Sequence, residues 1–585
     1  MENQEIAGIL TEIGVILEIK GENPFKTRAY TYAARTIENL ETPLKDIVAA
    51  GKLSELKGIG TSLGEKLTEL VNTGSMSFYN ELRGSIAPGL FELLQVPTLG
   101  PKKVKALYSQ LGVSSIVDLE KACNEGKVAT LPGFGEKTQA KILEGIKFKQ
   151  QYASKFLLGD ARLLADPLLA ALQALPQTIR CSTAGSLRRS KEVVGDIDFV
   201  VSSTEPAAVI EYFIAQPVVE KVLVKGETKT SVILKGGLQA DLRVVTDTEY
   251  PFTVNYFTGS KEHNIVMRQR AIQRGLRLNE YGLFQSKTET RDPALRVPCA
   301  SEEELYRLLD LTYIEPELRE DRGEFTASEQ NELPTLIQQG QVLGSLHNHS
   351  NWSDGNHTIP EIAEYMRKAG FSYWGITDHS KASFQANGLS VERLMEQRTV
   401  IQQTNRKFED KGSAFRLLHG AEVDILKAGL DYDDDVLSQL DIVVASLHVQ
   451  ANDEAENTRR LIAAAENPHV HMIGHMSGRL LLMREPYRMN QEAVIDACAA
   501  TGTWIELNAT PQRLDLDWRL WHMAQRKGVK CVINCDAHHY SHAAFIKLGI
   551  SVARKGWLTA SDIVNTLPLP QLQAALKQKR IRNGI

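Results

Sequence analysis

Only six of the 585 residues are cysteine, standing apart at 123, 181, 299, 498, 531 and 535. No Cys-x-x-Cys pair occurs, which removes the common zinc-finger and dithiol motifs. Thiols scattered in this way are expected to stay reduced and mostly buried. Met1 to Ile9 carries acids and lacks the basic-then-apolar order of a signal peptide, so a cytoplasmic location is expected. No apolar run reaches membrane-spanning length, and no membrane partner is expected. A surplus of positive charge is missing too, the net charge being −5. Basic and acidic residues number 18 and 18 over 1–150, 20 and 22 over 151–318, and 29 and 32 over 319–585. Phosphate binding must therefore come from local patches and backbone amides, not from a globally positive field. The length implies several domains.

What the chain does have is concentrated. Thirteen of its 14 histidines fall between 347 and 542, and only His263 lies outside. Residues after about 340 are thus a separate chemical unit. A second concentration is Gly185-Ser186-Leu187-Arg188-Arg189, followed by Asp196-Ile197-Asp198 and the apolar Phe199-Val200-Val201. Alternate residues of a strand share a face, so Asp196 and Asp198 project together. Paired carboxylates repel unless a cation sits between them, and hard oxygens at this spacing suit Mg²⁺. Leu238-Gln239-Ala240-Asp241 supplies a third acid, Asp241, within another alternating pattern. Three carboxylates on two metals fit in-line phosphoryl transfer. Ser186, the amides around Gly185, and Arg189 would cover phosphate oxygens. Farther on, Tyr256-Phe257-Thr258-Gly259-Ser260 offers an aromatic wall beside a close backbone approach, suited to a nucleotide. Arg270, Arg274 and Arg277 follow at helical spacing, as either a solvated face or a DNA-facing stripe.

Before this region a glycine pattern recurs. Gly58-Ile59-Gly60 is followed by Lys66, Thr98-Leu99-Gly100 by Lys102, and Gly133-Phe134-Gly135 by Lys137. Each reads as a tight turn opening a helix whose free amides can hold an anion. The second copy has Thr98 where the first glycine belongs. Lys66 reads as a phosphate-pairing cation or, with a lowered pKa, as a Schiff-base nucleophile.

After a polar stretch at 319–340, read as a linker, short apolar runs end seven times in polar groups. They end at His347-Asn348-His349, Thr377-Asp378-His379, Glu422-Val423-Asp424, Ser446-Leu447-His448, Gly474-His475, Glu506-Leu507-Asn508 and Asp536-Ala537-His538. Strands alternating with helices, with polar groups at strand ends, predict a β/α barrel with its site at the C-terminal rim. Nitrogen and carboxylate ligands suit Zn²⁺ or Mn²⁺. More than four ligands imply a cluster, and clustered metals cleave phosphoesters by activating water.

In order and spacing, the hairpin turns, the Gly-Ser…Asp-x-Asp segment, Asp241, the Tyr-Phe-x-Gly-Ser box and Leu278-Asn279-Glu280-Tyr281-Gly282-Leu283 resemble family X DNA polymerases of the beta type, over residues 1–318. The later segment, about 341–575, resembles the PHP (polymerase and histidinol phosphatase) domain that bacterial members carry in this position. The resemblance implies a multidomain fold: an α-helical helix-hairpin-helix N-terminal region, an α+β nucleotidyltransferase palm and thumb, and a C-terminal β/α barrel of about seven strands. The expected boundaries are 1–84 and 85–155 for helical DNA-holding domains, 156–245 for the palm, 246–318 for the nucleotide-selecting thumb, 319–340 for the linker and 341–575 for the barrel.

The resemblance also implies roles. Asp196, Asp198 and Asp241 would bind two Mg²⁺; Gly185, Ser186 and Arg189 would hold the triphosphate. Tyr256, Phe257 and Gly259 would line the sugar pocket, with Asn264 at the base edge and Arg268 toward the template. Gly58, Gly60, Lys66, Gly100, Lys102, Gly133 and Gly135 would hold DNA backbone. His347, His349, Asp354, His379, Glu422, His448, His475, Asp536 and His538 would bind the Zn²⁺ or Mn²⁺ cluster. Lys66 stands where lyase-competent members carry their Schiff-base lysine, but Ser62 replaces a second basic residue of that pocket. Ser345 stands where an aspartate is common, two residues before the first barrel ligand. The implied activity is template-directed filling of short DNA gaps with a 3′–5′ exonuclease in the barrel. The expected partners are gapped or primer-template DNA and deoxynucleoside triphosphates, the chain acting as a monomer. A DNA-tethered phosphomonoesterase or a non-catalytic DNA-end scaffold are the alternative readings.

Overall fold

A computed structural model describes every residue except 2, 39, 41, 57, 88, 97, 98, 153, 286–291 and 583–585. The chain divides into two units, 1–153 with 482–484, and 154–481 with 485–585. Among the described residues no helix is long and apolar enough to cross a membrane.

The first unit is helical. Helix Asn3–Lys20 lies against Pro24–Glu38, and their inward faces, among them Leu10, Ile13, Leu17, Ala33 and Ile37, build one apolar cluster. A second cluster gathers Val104, Leu107, Leu119, Ile142 and Ile146 from three later helices. The glycine turns open helices Thr61–Thr73, Pro101–Leu111 and Gly135–Tyr152. Gly58 takes a φ of +86°, and a Cβ there would sit 2.3 Å from the Tyr32 ring, so only glycine fits the turn. Gly60 and Gly100 cap their helices without a side chain, leaving the first amides free of a side-chain acceptor. Thr98, the departure in the second copy, and Lys57 lie outside the described residues.

The second unit starts with a five-stranded palm sheet. Its strands are β1 (Arg180–Thr183), β2 (Asp196–Ser202), β3 (Val219–Lys225), β4 (Lys229–Leu234) and β5 (Gln239–Val245), in spatial order β1-β2-β5-β4-β3. Only β2 and β5 run parallel, in a register that sets Asp198 opposite Asp241. The thumb follows, from helix Tyr250–Thr258 through Lys261–Gln273 and the hairpin Leu276–Asn279/Gly282–Gln285.

The polar composition of 319–340 suggests a linker. In the structure Arg319 and Glu324 are buried against the thumb, while Asp321, Arg322, Glu329 and Glu332 are exposed. Arg319 is wholly buried and pairs with Glu302 at 2.7 Å, while Glu324 bonds His263, itself buried. Glu302 also takes Arg188 at 2.5 Å, tying the thumb to the Gly-Ser turn of the palm. Opposite charges at these distances offset the cost of leaving water. Arg270 and Arg274, part of the possible DNA-facing stripe, spend their guanidinium groups inside the thumb, on Leu309 O, Asp310 and Glu329.

Seven parallel strands then form a ring: β6 (Gly344–Ser345), β7 (Tyr373–Ile376), β8 (Arg416–Leu426), β9 (Ile442–Ser446), β10 (Met472–Ile473), β11 (Trp504–Asn508) and β12 (Cys531–Asn534). Beyond β6 and β12 a parallel bridge joins Asn348 and Ala537, so the barrel nearly closes. The strands are buried along most of their length because helices cover the outside. One such helix, Ile359–Lys368, starts at a capping box of Thr358 and Glu361. All six cysteines are free, and Cys123, Cys498, Cys531 and Cys535 are buried.

Palm and barrel share one apolar cluster, which runs from Leu158 through Phe199 to Ile533 and Leu558. Gly159 lies so close to Pro511 that a Cβ would approach it to 2.9 Å. Trp518 of the barrel donates its indole N–H to Glu192 of the palm at 2.9 Å.

Candidate active sites

In the palm, strand geometry gathers the acids. Asp196 and Asp198 lie two apart on β2, and Asp241 is the β5 partner of Asp198. Burial, then Asp196 and Asp241, push the Asp198 carboxyl up to about 7. Burial and Asp241 raise Asp196 as well. Two carboxylates raised by burial and by neighbouring acids make a site that calls for a cation, which fits divalent metal. Gln239 and Lys229 engage Asp241, at 2.9 and 3.6 Å. The triad is looser than the barrel site, as like charges require: the groups with ligand atoms all within 4.8 Å, among the described residues, lie in the barrel.

The Gly-Ser turn abuts these acids. Gly185 has a φ of +62°, and a Cβ on it would meet Asp198 Oδ2 at 2.3 Å. Ser186 is half-buried beside it. Arg189 donates to Glu320 at 3.0 Å and to the Thr258 carbonyl, next to Gly259. Tyr256 and Phe257 are half-buried, edge to face at 5.1 Å, and Arg243 lies 4.0 Å over Phe257. Asn264 donates to Tyr256 O at 2.7 Å, and Arg268 is exposed one turn on.

In the barrel all nine expected ligands meet at the C-terminal rim. Glu422 is the centre. Its carboxylate lies 2.8 Å from His379, 3.0 from His475, 3.2 from His448, 3.4 from His347 and 3.7 from His349. Asp536 reaches His349 at 3.1 Å, and Asp354 reaches His538 at 3.4 and His379 at 3.7 Å. The donors form three overlapping groups: His349, Asp354, His379 and His538; His347, His349 and Glu422; and His379, Glu422 and His448. Buried His347 Nε2, His349 Nδ1 and His379 Nδ1 have no aligned hydrogen-bond partner although carboxylates stand close by. Ring nitrogens facing anions without a shared proton are what cations require. The residues thus fit a metal cluster.

The electrostatics agree. Against the cost of burial, Glu422 and Asp354 hold His379 up to about 11, and Glu422 holds His448 up to about 9. Glu422 and Asp536 are held well below the ordinary carboxylate range, despite burial, by the histidines around them. The cage is anionic and demands positive charge, whether from protons or from metal ions.

Several residues outside the ligand set hold it in place. Glu506 accepts from His347 Nδ1 at 2.7 Å and Asp424 from His448 Nδ1 at 2.8 Å, fixing each ring's tautomer. Asp424 shares a strand face with Glu422, two residues away, a signal that spacing alone carries. Ser345 bridges Asn348 and the Cys535 amide from a fully buried position. His538 N donates to His542, and His539 bonds Ser541 nearby. Arg513, 3.9 Å from Asp536, has no sequence signal beyond its charge.

Comparison with known proteins decides the family. The chain is 40% identical over 583 residues to the Bacillus subtilis protein named DNA polymerase/3'-5' exonuclease PolX, covering 99% of this chain and all of that one. The chain belongs to the bacterial PolX family. The family models for the DNA polymerase beta thumb (253–320), a helix-hairpin-helix domain (1–76), a SAM-like helix-hairpin-helix tandem (90–148) and the PHP domain (345–510) also match. Rat DNA polymerase lambda is 23% identical over 320 residues, half of this PolX chain and 53% of its own length. A probable phosphatase of Thermoanaerobacter is 28% identical over 187 residues, 30% of this chain and 74% of that one. The PolX relationship thus spans both the palm and the barrel.

In the helical unit, Lys66 donates to Ser62 Oγ at 2.9 Å, and its ammonium lies 4.8 Å from the Phe78 ring centre. Lys102 occupies the first turn of the helix that Gly100 opens, as Gly135 and Gly133 begin the third.

Proposed function

We propose that this PolX-family chain is a DNA-directed DNA polymerase that fills short gaps during repair, with a 3′–5′ exonuclease in its barrel. The observation that carries the synthesis assignment is the register of β2 against β5, which puts Asp241 beside Asp198. We assign two Mg²⁺ to Asp196, Asp198 and Asp241. Bound there, they would activate the primer hydroxyl and steady the pyrophosphate. The chain's own residues do the rest. Ser186, Gly185 and Arg189 receive the triphosphate. Tyr256, Phe257 and Gly259 receive the sugar, with Asn264 at the base and Arg268 toward the template. The glycine turns at 58–60, 100 and 133–135, with Lys66 and Lys102, grip DNA backbone.

For the barrel we assign a Zn²⁺ or Mn²⁺ cluster to the nine ligands, which, once bound, would supply activated water for phosphodiester cleavage. The domain roles follow: 1–84 and 85–155 hold DNA, 156–245 joins nucleotides, 246–318 selects them and 341–575 removes them. We take the substrates as gapped or primer-template DNA and deoxynucleoside triphosphates, the chain as a monomer, and its location as the cytoplasm, which its free thiols suit.

One labelled gapped substrate tests both halves. Asp196→Ala is expected to abolish extension and keep degradation; His379→Ala is expected to do the reverse. Extension that survives in Asp196→Ala refutes the palm assignment. Unchanged degradation in His379→Ala refutes the barrel assignment.

A further inference from the structure

One carboxylate, Glu320, lies between the Gly-Ser turn of the palm and the barrel. Lys555 ends the barrel helix Ile546–Lys555 and is wholly buried. Its ammonium donates to Glu320 at 2.6 Å, to Arg189 O at 3.0 Å and to Glu317 O at 3.2 Å. The same Glu320 accepts from Arg189 Nε at 3.0 Å and faces Lys191 at 3.6 Å. The far end of the Arg189 guanidinium touches Thr258 O, beside the expected sugar pocket. Trp518 completes the setting, its ring centre 4.4 Å from the Lys555 ammonium.

A buried lysine is costly, and an apolar residue of similar length would pack at lower cost. The charge therefore calls for a reason beyond packing. Glu320 is 10% exposed and faces three cations. With only Arg189 and Lys191 against it, it would cancel about half of their charge. Lys555 cancels Glu320 instead, leaving a net positive field at the turn next to Gly185 and Ser186.

We propose that Lys555 of the barrel is a positioning residue of the synthesis site: it neutralises Glu320, so that Arg189 keeps its charge for the triphosphate of the incoming nucleotide. The inference rests on the assignment of Arg189 to that triphosphate. The protonation states agree. Burial brings Lys555 down to about 8, and Lys555 with Arg189 holds Glu320 down to about 2 against burial, so both are charged at pH 7.

Three substitutions in the full chain test this by steady-state gap filling with varied deoxynucleoside triphosphate. Lys555→Met is expected to raise the nucleotide KM about tenfold with kcat within about twofold. Glu320→Gln, which also removes the carboxylate that keeps Lys555 charged, leaves the local charge unchanged and is expected to keep KM within about twofold of the wild type. The double variant Glu320→Gln/Lys555→Met restores the local charge and is expected to return KM to within about twofold of wild type. Degradation of a single-stranded primer stays unchanged in all three. A role in holding the domains together predicts another pattern, with KM unmoved by Lys555→Met or the double variant no better than the single one. Either result overturns the inference. Should Lys555→Met fail to fold, Lys555→Gln replaces it, and a KM within about twofold of wild type overturns the inference. Arg189→Ala runs alongside: if its nucleotide KM is unchanged, the triphosphate assignment itself fails. If it rises while Lys555→Met matches wild type, only the inference about Lys555 fails.

Discussion

Glu422→Gln is the sharpest perturbation of the barrel. The amide keeps the shape of the carboxylate and removes one charge from the point where five imidazoles converge, between 2.8 and 3.7 Å away. Glu422 also belongs to two of the three ligand groups, so its loss is felt by more than one ion. A unit charge pair at about 4 Å is worth ~4 kcal/mol at an effective dielectric near 20. At 1.36 kcal/mol per decade that corresponds to about 10³-fold weaker metal retention. Elemental analysis after dialysis against a chelator measures it directly. The variant is expected to lose bound metal at chelator levels that leave the wild type loaded. Its 3′-end degradation is expected to fall by a similar factor while gap filling holds. Metal content and degradation both within about threefold of wild type would refute the shared-ligand geometry.

Gly185→Ala places a methyl group where Asp198 Oδ2 sits, 2.3 Å away; gap filling is expected to drop at least about tenfold with degradation unaffected, and retained synthesis would count against that contact. Arg319 and Arg188 hold Glu302 down to about 2 against its burial. Because the folded value lies below the ordinary 4.5, this stabilisation is whole above pH 4.5 and is lost as pH falls toward 2, up to about 3 kcal/mol. The stability gap between wild type and Glu302→Gln in urea is therefore expected to narrow over that window, and a constant gap would contradict it. Trp518→Phe removes the indole bond to buried Glu192 and is expected to cost about 1.5–3 kcal/mol in urea unfolding; a loss under about 0.5 kcal/mol would assign that bond no weight.

The catalytic chemistry was legible in the sequence because its spacing is local. Asp196 and Asp198 announce a strand face in three residues. Six of the seven barrel strands carry a ligand near or just past their C-terminal end and β11 carries Glu506, which holds His347, so seven short runs sketch the ring before any tertiary contact is known. Nothing local reveals the interface. Trp518 meets Glu192 across 326 residues and Lys555 meets Glu320 across 235. Arg319 and Glu320 read as part of a linker because composition cannot tell a charge in water from one buried against a partner. Helical spacing offers Arg270 and Arg274 as a solvated face or a DNA-facing stripe and does not show their pairing with Glu329 and Asp310.

The apolar cluster that Gly159, Pro511 and Trp518 help to seal packs palm and barrel into one compact unit. The acids of the palm and the ligands of the barrel both belong to that unit. A mispaired primer end is then expected to cross between them by peeling from its template or by leaving and rebinding.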